Sequence, residues 1–192
     1  ITFLSIDERL TIANMTTEWG ALAGVFPIDD VTITWFRKRA DLIANRVLEN
    51  VPSEDDGKYG IHPRINNDRI DKLENDNLKA DENAYYVQDI QLDLTTVRPH
   101  ISGPNHVKVM TGISDAESQN IKINKAYLVS CVNSRVDDLS TAANVVKNHK
   151  IAPGVEFYIA AASNEVQAES ESRGDWQTLI DSGATPLPPG CG

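Results

Sequence analysis

Cysteine is nearly missing from this 192-residue chain: there are two, Cys131 and Cys191. Two are too few for the disulfide framework of a small secreted domain. That leaves metal ligation, thiol chemistry or plain burial. Basic residues are also short, with 18 Lys and Arg against 28 Asp and Glu, a net charge of −10 and a pI near 4.8. A nucleic-acid surface needs clustered cations, so this balance speaks against a nucleic-acid partner. No apolar run reaches membrane-spanning length, and no signal-peptide pattern opens the chain. Phosphate-binding glycine loops, the dinucleotide-binding glycine pattern and Gly-x-Ser-x-Gly are all absent. None of the four histidines, His62, His100, His106 and His149, has zinc-type spacing to a cysteine. There are no internal repeats. The chain opens on Ile1 within the apolar run Ile1–Leu4, not on Met, and reads as an internal piece of a longer protein.

What is present reads as globular α/β. A hydrophobic share of 41%, with three Trp and nine Pro, is that of a folded domain. The length suffices for one large core or two modest ones. Ser5-Ile6-Asp7-Glu8 fits a capping box, and Ile6, Leu10, Ala13, Thr17 and Ala21 follow at helical spacing, with Gly24 as the stop. Asp29 or Asp30 can cap a second helix running through Trp35, Phe36, Leu42, Ile43 and Val47; the alternation Val31, Ile33, Trp35 competes as a strand, and helix is preferred. From Asn50 to Asn83 the chain is polar, a surface excursion in which Ile65, Ile70, Leu73 and Leu78 suggest one short helix. Ile90, Leu92 and Leu94 alternate as in a half-buried strand over Asp89–Thr95. Arg98–Pro104 is rich in breakers and reads as a linker, dividing the chain into 1–105 and 106–192. Beyond it come a strand at Ala126–Val129, a helix through Leu139, Ala142, Ala143 and Val146, and a mostly apolar parallel strand over Val155–Ala162. Ser163 caps the next helix. A further one through Trp176, Leu179 and Ile180 stops at Gly183. Thr185–Pro189 can be only a poor strand, because proline cannot donate to a ladder.

Both cysteines follow strands. Successive parallel strands end on the same side, so the two thiols can converge. Cys131, in Ser130-Cys131-Val132-Asn133-Ser134-Arg135, is expected between a strand end and a helix N-terminus, where backbone N–H groups favour the thiolate that binds metal. A single cysteine in that position is more often a small buried hydrophobe. Cys191 sits in Pro189-Gly190-Cys191-Gly192, where the flanking glycines let a bulky group approach. Asn14 and Glu18 are four apart and would share a helix face, either as an ordinary solvated pair or aimed into a site.

Leu10–Ala21, Val25-Phe26-Pro27, Pro99–Pro104, Ser130–Arg135 and Pro189–Gly192 together resemble the aconitase superfamily, in the same order. The resemblance covers nearly the whole chain. The stretch Val155–Trp176 is similar to a fungal, mitochondrial branch that serves lysine biosynthesis; branches acting on aconitate or isopropylmalate are the alternatives within the family. The resemblance implies three-layer α/β/α domains with a mainly parallel sheet. It also implies a 4Fe–4S cluster with one open iron and a hydratase that moves water on a tricarboxylate, as a monomer with no nucleic-acid or membrane partner. Cys131 matches the first cluster ligand, with Val132 where many members have Thr. Cys191 matches the second, and the third would fall past Gly192. Asn14 and Glu18 match the family's catalytic Asn and Glu. The rival of another class is a folded, non-catalytic fragment.

Overall fold

The computed structural model describes residues 1–45, 62–76 and 78–191. It divides into two compact units, Ile1–Ala13 with Ala23–Leu92, and Asn14–Leu22 with Asp93–Gly192.

In the first unit α1 (Ile6–Asn14) opens with the expected capping box. Glu8 N donates to Ser5 Oγ at 3.2 Å, and Ser5 N donates to Glu8 Oε2 at 2.7 Å. The helix is shorter than its apolar spacing suggests. It ends at Asn14, Met15 forms a turn, and α2 (Thr16–Trp19), which belongs to the second unit, starts afresh. Asn14 and the β-branched Thr16 are weak helix formers. Gly20, at φ +79°, closes α2, and Ala21 N reaches back to Thr16 O at 2.8 Å. That left-handed C-terminal turn ends the segment four residues before the expected stop at Gly24.

The residue that α1 buries is also unexpected. Arg9 is 4% exposed, while Leu10 is 37% exposed. The guanidinium grips Asp29 through two bonds of 2.8 Å and also donates to Thr32 Oγ1, Leu4 O and Ile1 O. A planar five-donor group satisfied in this way can be buried at low cost. The same Asp29 caps α3 (Asp30–Asn45), accepting from Thr32 N at 3.1 Å, so helix prevails over strand here. Val47, expected to continue this helix, lies outside the described residues, as does much of the expected excursion from Asn50. Within that stretch α4 (Asn67–Asp76) forms as expected. Ile33, Ala40 and Ile70 make the shared core of α3 and α4 with Ile28, Phe36, Ile65 and Leu73 around them.

The strand expected over Asp89–Thr95 does not form. Ile90, Leu92 and Leu94 are 75%, 66% and 55% exposed, and only a 3-10 turn forms at Leu94–Thr96. Alternation selects a face but supplies no partner strand, and among the described residues none pairs here. The stretch read as a linker contains β1 (His100–Ser102), an antiparallel partner of β2 (Met110–Gly112), which α5 (Ile113–Ser118) follows.

The rest of the second unit is the α/β arrangement read from the sequence. β3 (Lys125–Leu128), β4 (Glu156–Ile159) and β5 (Thr185–Pro186) form a parallel sheet in that order. α6 (Val136–Val146) connects the first two strands; α7 (Asn164–Arg173) and α8 (Asp175–Ser182) connect the last two. Ser163 Oγ accepts from Val166 N at 3.3 Å as the cap of α7, and Gly183 follows α8. Proline confines β5 to two residues. Leu139, Ala143, Ile159, Ala161, Trp176, Leu179 and Ala184 form one core between the three helices and one sheet face. The other face carries Tyr127 stacked on Tyr158 at 5.2 Å and Lys125 paired with Glu156 at 3.1 Å.

Candidate functional site

Chain beyond the strand ends builds the site. After β4 the backbone runs on through Ala160 and Ala161, both fully buried. Ala160 N donates to Leu128 O at 3.0 Å and Ala162 N to Ser134 O at 3.1 Å, which ties the loop after β3 to one side. Leu187 N donates to Ile159 O at 2.8 Å and Gly190 N to Ala161 O at 2.9 Å, which ties the C-terminal turn to the other. Gly190 has φ +129°, a conformation that L side chains rarely adopt. Buried alanines thus hold the two loops against a common rail.

The two cysteines meet there. Cys131 Sγ lies 3.7 Å from Cys191 Sγ, and both residues are exposed. The contact raises the Cys191 pKa above its ordinary value, chiefly through the hydrogen bond with Cys131, then through the charge of that neighbour and desolvation. Convergence of the thiols on one sheet edge follows the topological expectation. The expected helix N-terminus does not: α6 begins at Val136, five residues after Cys131. The nearby amides are engaged within the loop, since Val132 N and Asn133 N donate to Ser130 Oγ at 3.1 and 2.9 Å. Arg135 folds back, its Nε donating to Val132 O at 2.8 Å, and its N–H meets Asp138 Oδ2 at 3.0 Å. Ser134, 2% exposed with φ +55°, makes the bend that separates thiol from helix.

Asn14 and Glu18 do not share a helix face, because the turn at Met15 intervenes. Asn14 is exposed at the end of α1, and Glu18 is half-buried in α2. Both belong to the same compact unit as the cysteines. Glu18 Oε2 is buried without a hydrogen-bond partner. A buried carboxylate oxygen in that condition is costly and calls for a reason. Among the described residues no cluster of three His, Cys, Asp or Glu side chains could hold a metal ion. Three histidines serve their own loops: His62 Nδ1 meets Arg64 N and Ile65 N, His106 Nδ1 meets Lys108 N, and His100 Nδ1 contacts Arg98 O. A cleft of about 600 Å³ lies beside the cysteine loop, lined among others by Tyr127, Ser130, Asn133, Asp138 and Thr141; neither cysteine lines it. The sequence reading passed over the Arg9–Asp29 pair and the Tyr127–Tyr158 stack. The second was findable, because the tyrosines fall opposite each other once β3 and β4 are aligned.

Comparison with known proteins completes the picture. Residues 1–192 match the aconitase family (aconitate hydratase). The chain belongs to the aconitase family. It is 54% identical over 189 residues to a protein named homoaconitase, mitochondrial, from Mycosarcoma maydis, covering 98% of this chain and 26% of that one. The protein of the same name from Candida albicans is 50% identical over 192 residues, covering 100% and 26%. That from Yarrowia lipolytica is 51% identical over 189 residues, covering 98% and 25%. The chain thus spans about a quarter of the length of these relatives. Membership brings a 4Fe–4S cluster as the family's general cofactor. No helix among the described residues is long and apolar enough to cross a membrane.

Proposed function

We propose that this chain is part of a mitochondrial homoaconitate hydratase, a hydro-lyase that interconverts homoaconitate and homoisocitrate in lysine biosynthesis through α-aminoadipate. The observation that carries this reading is identity near one half, over almost the whole chain, to proteins named homoaconitase. The proposal keeps 1–105 and 106–192 as parts of two family domains, and the whole enzyme as a monomer whose partner is a small tricarboxylate.

The donor chemistry suits an iron–sulfur cofactor. Two soft thiols face solvent on one sheet edge, and a Cβ added at Gly190 would meet nothing within 4 Å, so the approach is open. In the proposal Cys131 and Cys191 hold the cluster as thiolates, with a third ligand from outside this chain. When bound, a cluster with an open iron supplies Lewis-acid polarisation of the substrate's hydroxyl and carboxylate. Glu18 holds or releases a proton at Oε2 beside the departing hydroxyl, which gives its unpartnered oxygen a purpose. The Asn14 amide orients the substrate end of the site.

The test is made in the whole enzyme. Cys131→Ser is expected to lose iron and sulfide, since a hydroxyl does not replace a thiolate toward iron. Glu18→Gln is expected to keep the cluster and lose about 10²-fold or more in kcat. Near-normal turnover by Glu18→Gln would remove Glu18 from the site. Preference for aconitate or isopropylmalate over homoaconitate would move the enzyme to another branch of the family.

A further inference from the structure

Cys131 is followed at once by the backbone N–H groups of Val132 and Asn133. Successive N–H groups in a turn make a concavity for an anion, and a thiolate is one. In this loop those groups are turned elsewhere. Both donate to Ser130 Oγ, at 3.1 Å from Val132 N and 2.9 Å from Asn133 N. A hydroxyl oxygen has two lone pairs, so Ser130 takes both bonds without competition between them. The peptide between Val132 and Asn133 is held at its other end too, because Arg135 Nε donates to Val132 O at 2.8 Å. It cannot turn its N–H toward the sulfur without breaking both bonds. Ala162 N fixes the far end of the loop through Ser134 O at 3.1 Å. Among the described residues no backbone amide donates to Cys131 Sγ, whose hydrogen-bond partner is Cys191 Sγ.

We propose that Ser130 is a positioning residue for Cys131: its hydroxyl holds the Val132 and Asn133 amides off the sulfur and thereby keeps the potential of the bound cluster low. The role rests on the cluster reading above. Amide donors to a ligand sulfur stabilise the more negative, reduced form of a cluster, so their number helps to set its potential. With both amides diverted, Cys131 Sγ keeps its electron density for iron. That disfavours one-electron reduction and suits a cluster whose contribution is Lewis-acid polarisation. Ser130 is half-buried, which limits competition from water for its two amide bonds. The effect is exerted through Cys131, and a γ-hydroxyl at position 130 is all that it requires.

The test uses the whole enzyme as Ser130→Ala and Ser130→Thr. Ser5→Ala, which removes the acceptor of the Glu8 amide, is the control outside the loop. Circular dichroism checks the fold of each. In the metal-free enzyme, hydrogen exchange over the 130–135 peptide should show slow amides at Val132 and Asn133 in the parent, in Ser130→Thr and in Ser5→Ala. Ser130→Ala should lose them. With the cluster bound, Ser130→Ala should raise the reduction potential and speed the loss of iron to a chelator about tenfold, while Ser130→Thr and Ser5→Ala keep the parent values. An unchanged or lower potential in Ser130→Ala would overturn the proposal. So would a Ser130→Thr variant that behaves as Ser130→Ala, since the hydroxyl would then not be the operative group. Slow amides in a parent enzyme that takes up no cluster would instead refute the cluster reading and leave the Ser130 bonds standing.

Discussion

Arg9 and Asp29 show how far one pair of residues governs the first unit. Each is perturbed by the other. The hydrogen bonds with Asp29, opposed by burial, raise the Arg9 pKa, and the Arg9 guanidinium with the Thr32 bonds holds Asp29 well below the usual carboxylate range. A depressed carboxylate pKa stabilises the fold above its unfolded value, near 3.9, and that stability is lost as pH falls toward the folded value. Urea denaturation at a series of pH values should therefore show the midpoint falling below about pH 4. Asp29→Asn should flatten that dependence and cost on the order of 2–3 kcal/mol at pH 7, because Arg9 is left nearly buried and unpaired. A variant as stable as the parent at pH 7 would show that water replaces the carboxylate. Nothing in the spacing of α1 singles out Arg9, since helical periodicity is read from apolar residues and the partner is twenty positions away.

At the scale of elements, α6 and α8 matter most to the candidate site, because their core supports the sheet whose ends carry the cysteines. Leu139 of α6 is fully buried among Ile159, Trp176 and Leu179. Leu139→Ala should cost about 2–5 kcal/mol, read as a lower midpoint in chemical denaturation. Leu22→Ala, at a side chain fully in solvent, should change stability by no more than about 0.5 kcal/mol. Equal effects would mean that this core is not what holds the second unit. The elements of this unit were largely legible in advance: the strand at Lys125–Leu128, the cap at Ser163 and the stop after Ser182 all carry local signals. The hairpin of β1 and β2 was not, because Pro99, Gly103 and Pro104 mark turns without saying that His100–Ser102 pair with residues eight to twelve positions on.

At the scale of the whole chain, its 192 residues span about a quarter of the length of the relatives it matches. The 192-residue chain should show no hydration of homoaconitate even after reconstitution with iron and sulfide, since the proposed cluster takes three ligands and this chain has two cysteines. A coupled assay for homoisocitrate checks this. Measurable turnover would mean that two thiolates and the Glu18 region suffice. The overall charge of −10 sets a separate expectation: gel-shift assays at physiological salt should detect no nucleic-acid binding.

By itself the sequence determined the α/β class, the membership of the aconitase family and the placement of both cysteines just past strand ends. Each of these rests on local pattern or on the order of motifs along the chain, and none needs coordinates. Only the tertiary structure decided how the site is put together. The bend at Ser134 separates Cys131 from the helix it precedes, the turn at Met15 parts Asn14 from Glu18, and two loops sixty residues apart are hydrogen-bonded to the same buried strand extension. These outcomes depend on backbone bonds between segments remote in sequence, and local propensity carries no information about which remote amide will find which carbonyl.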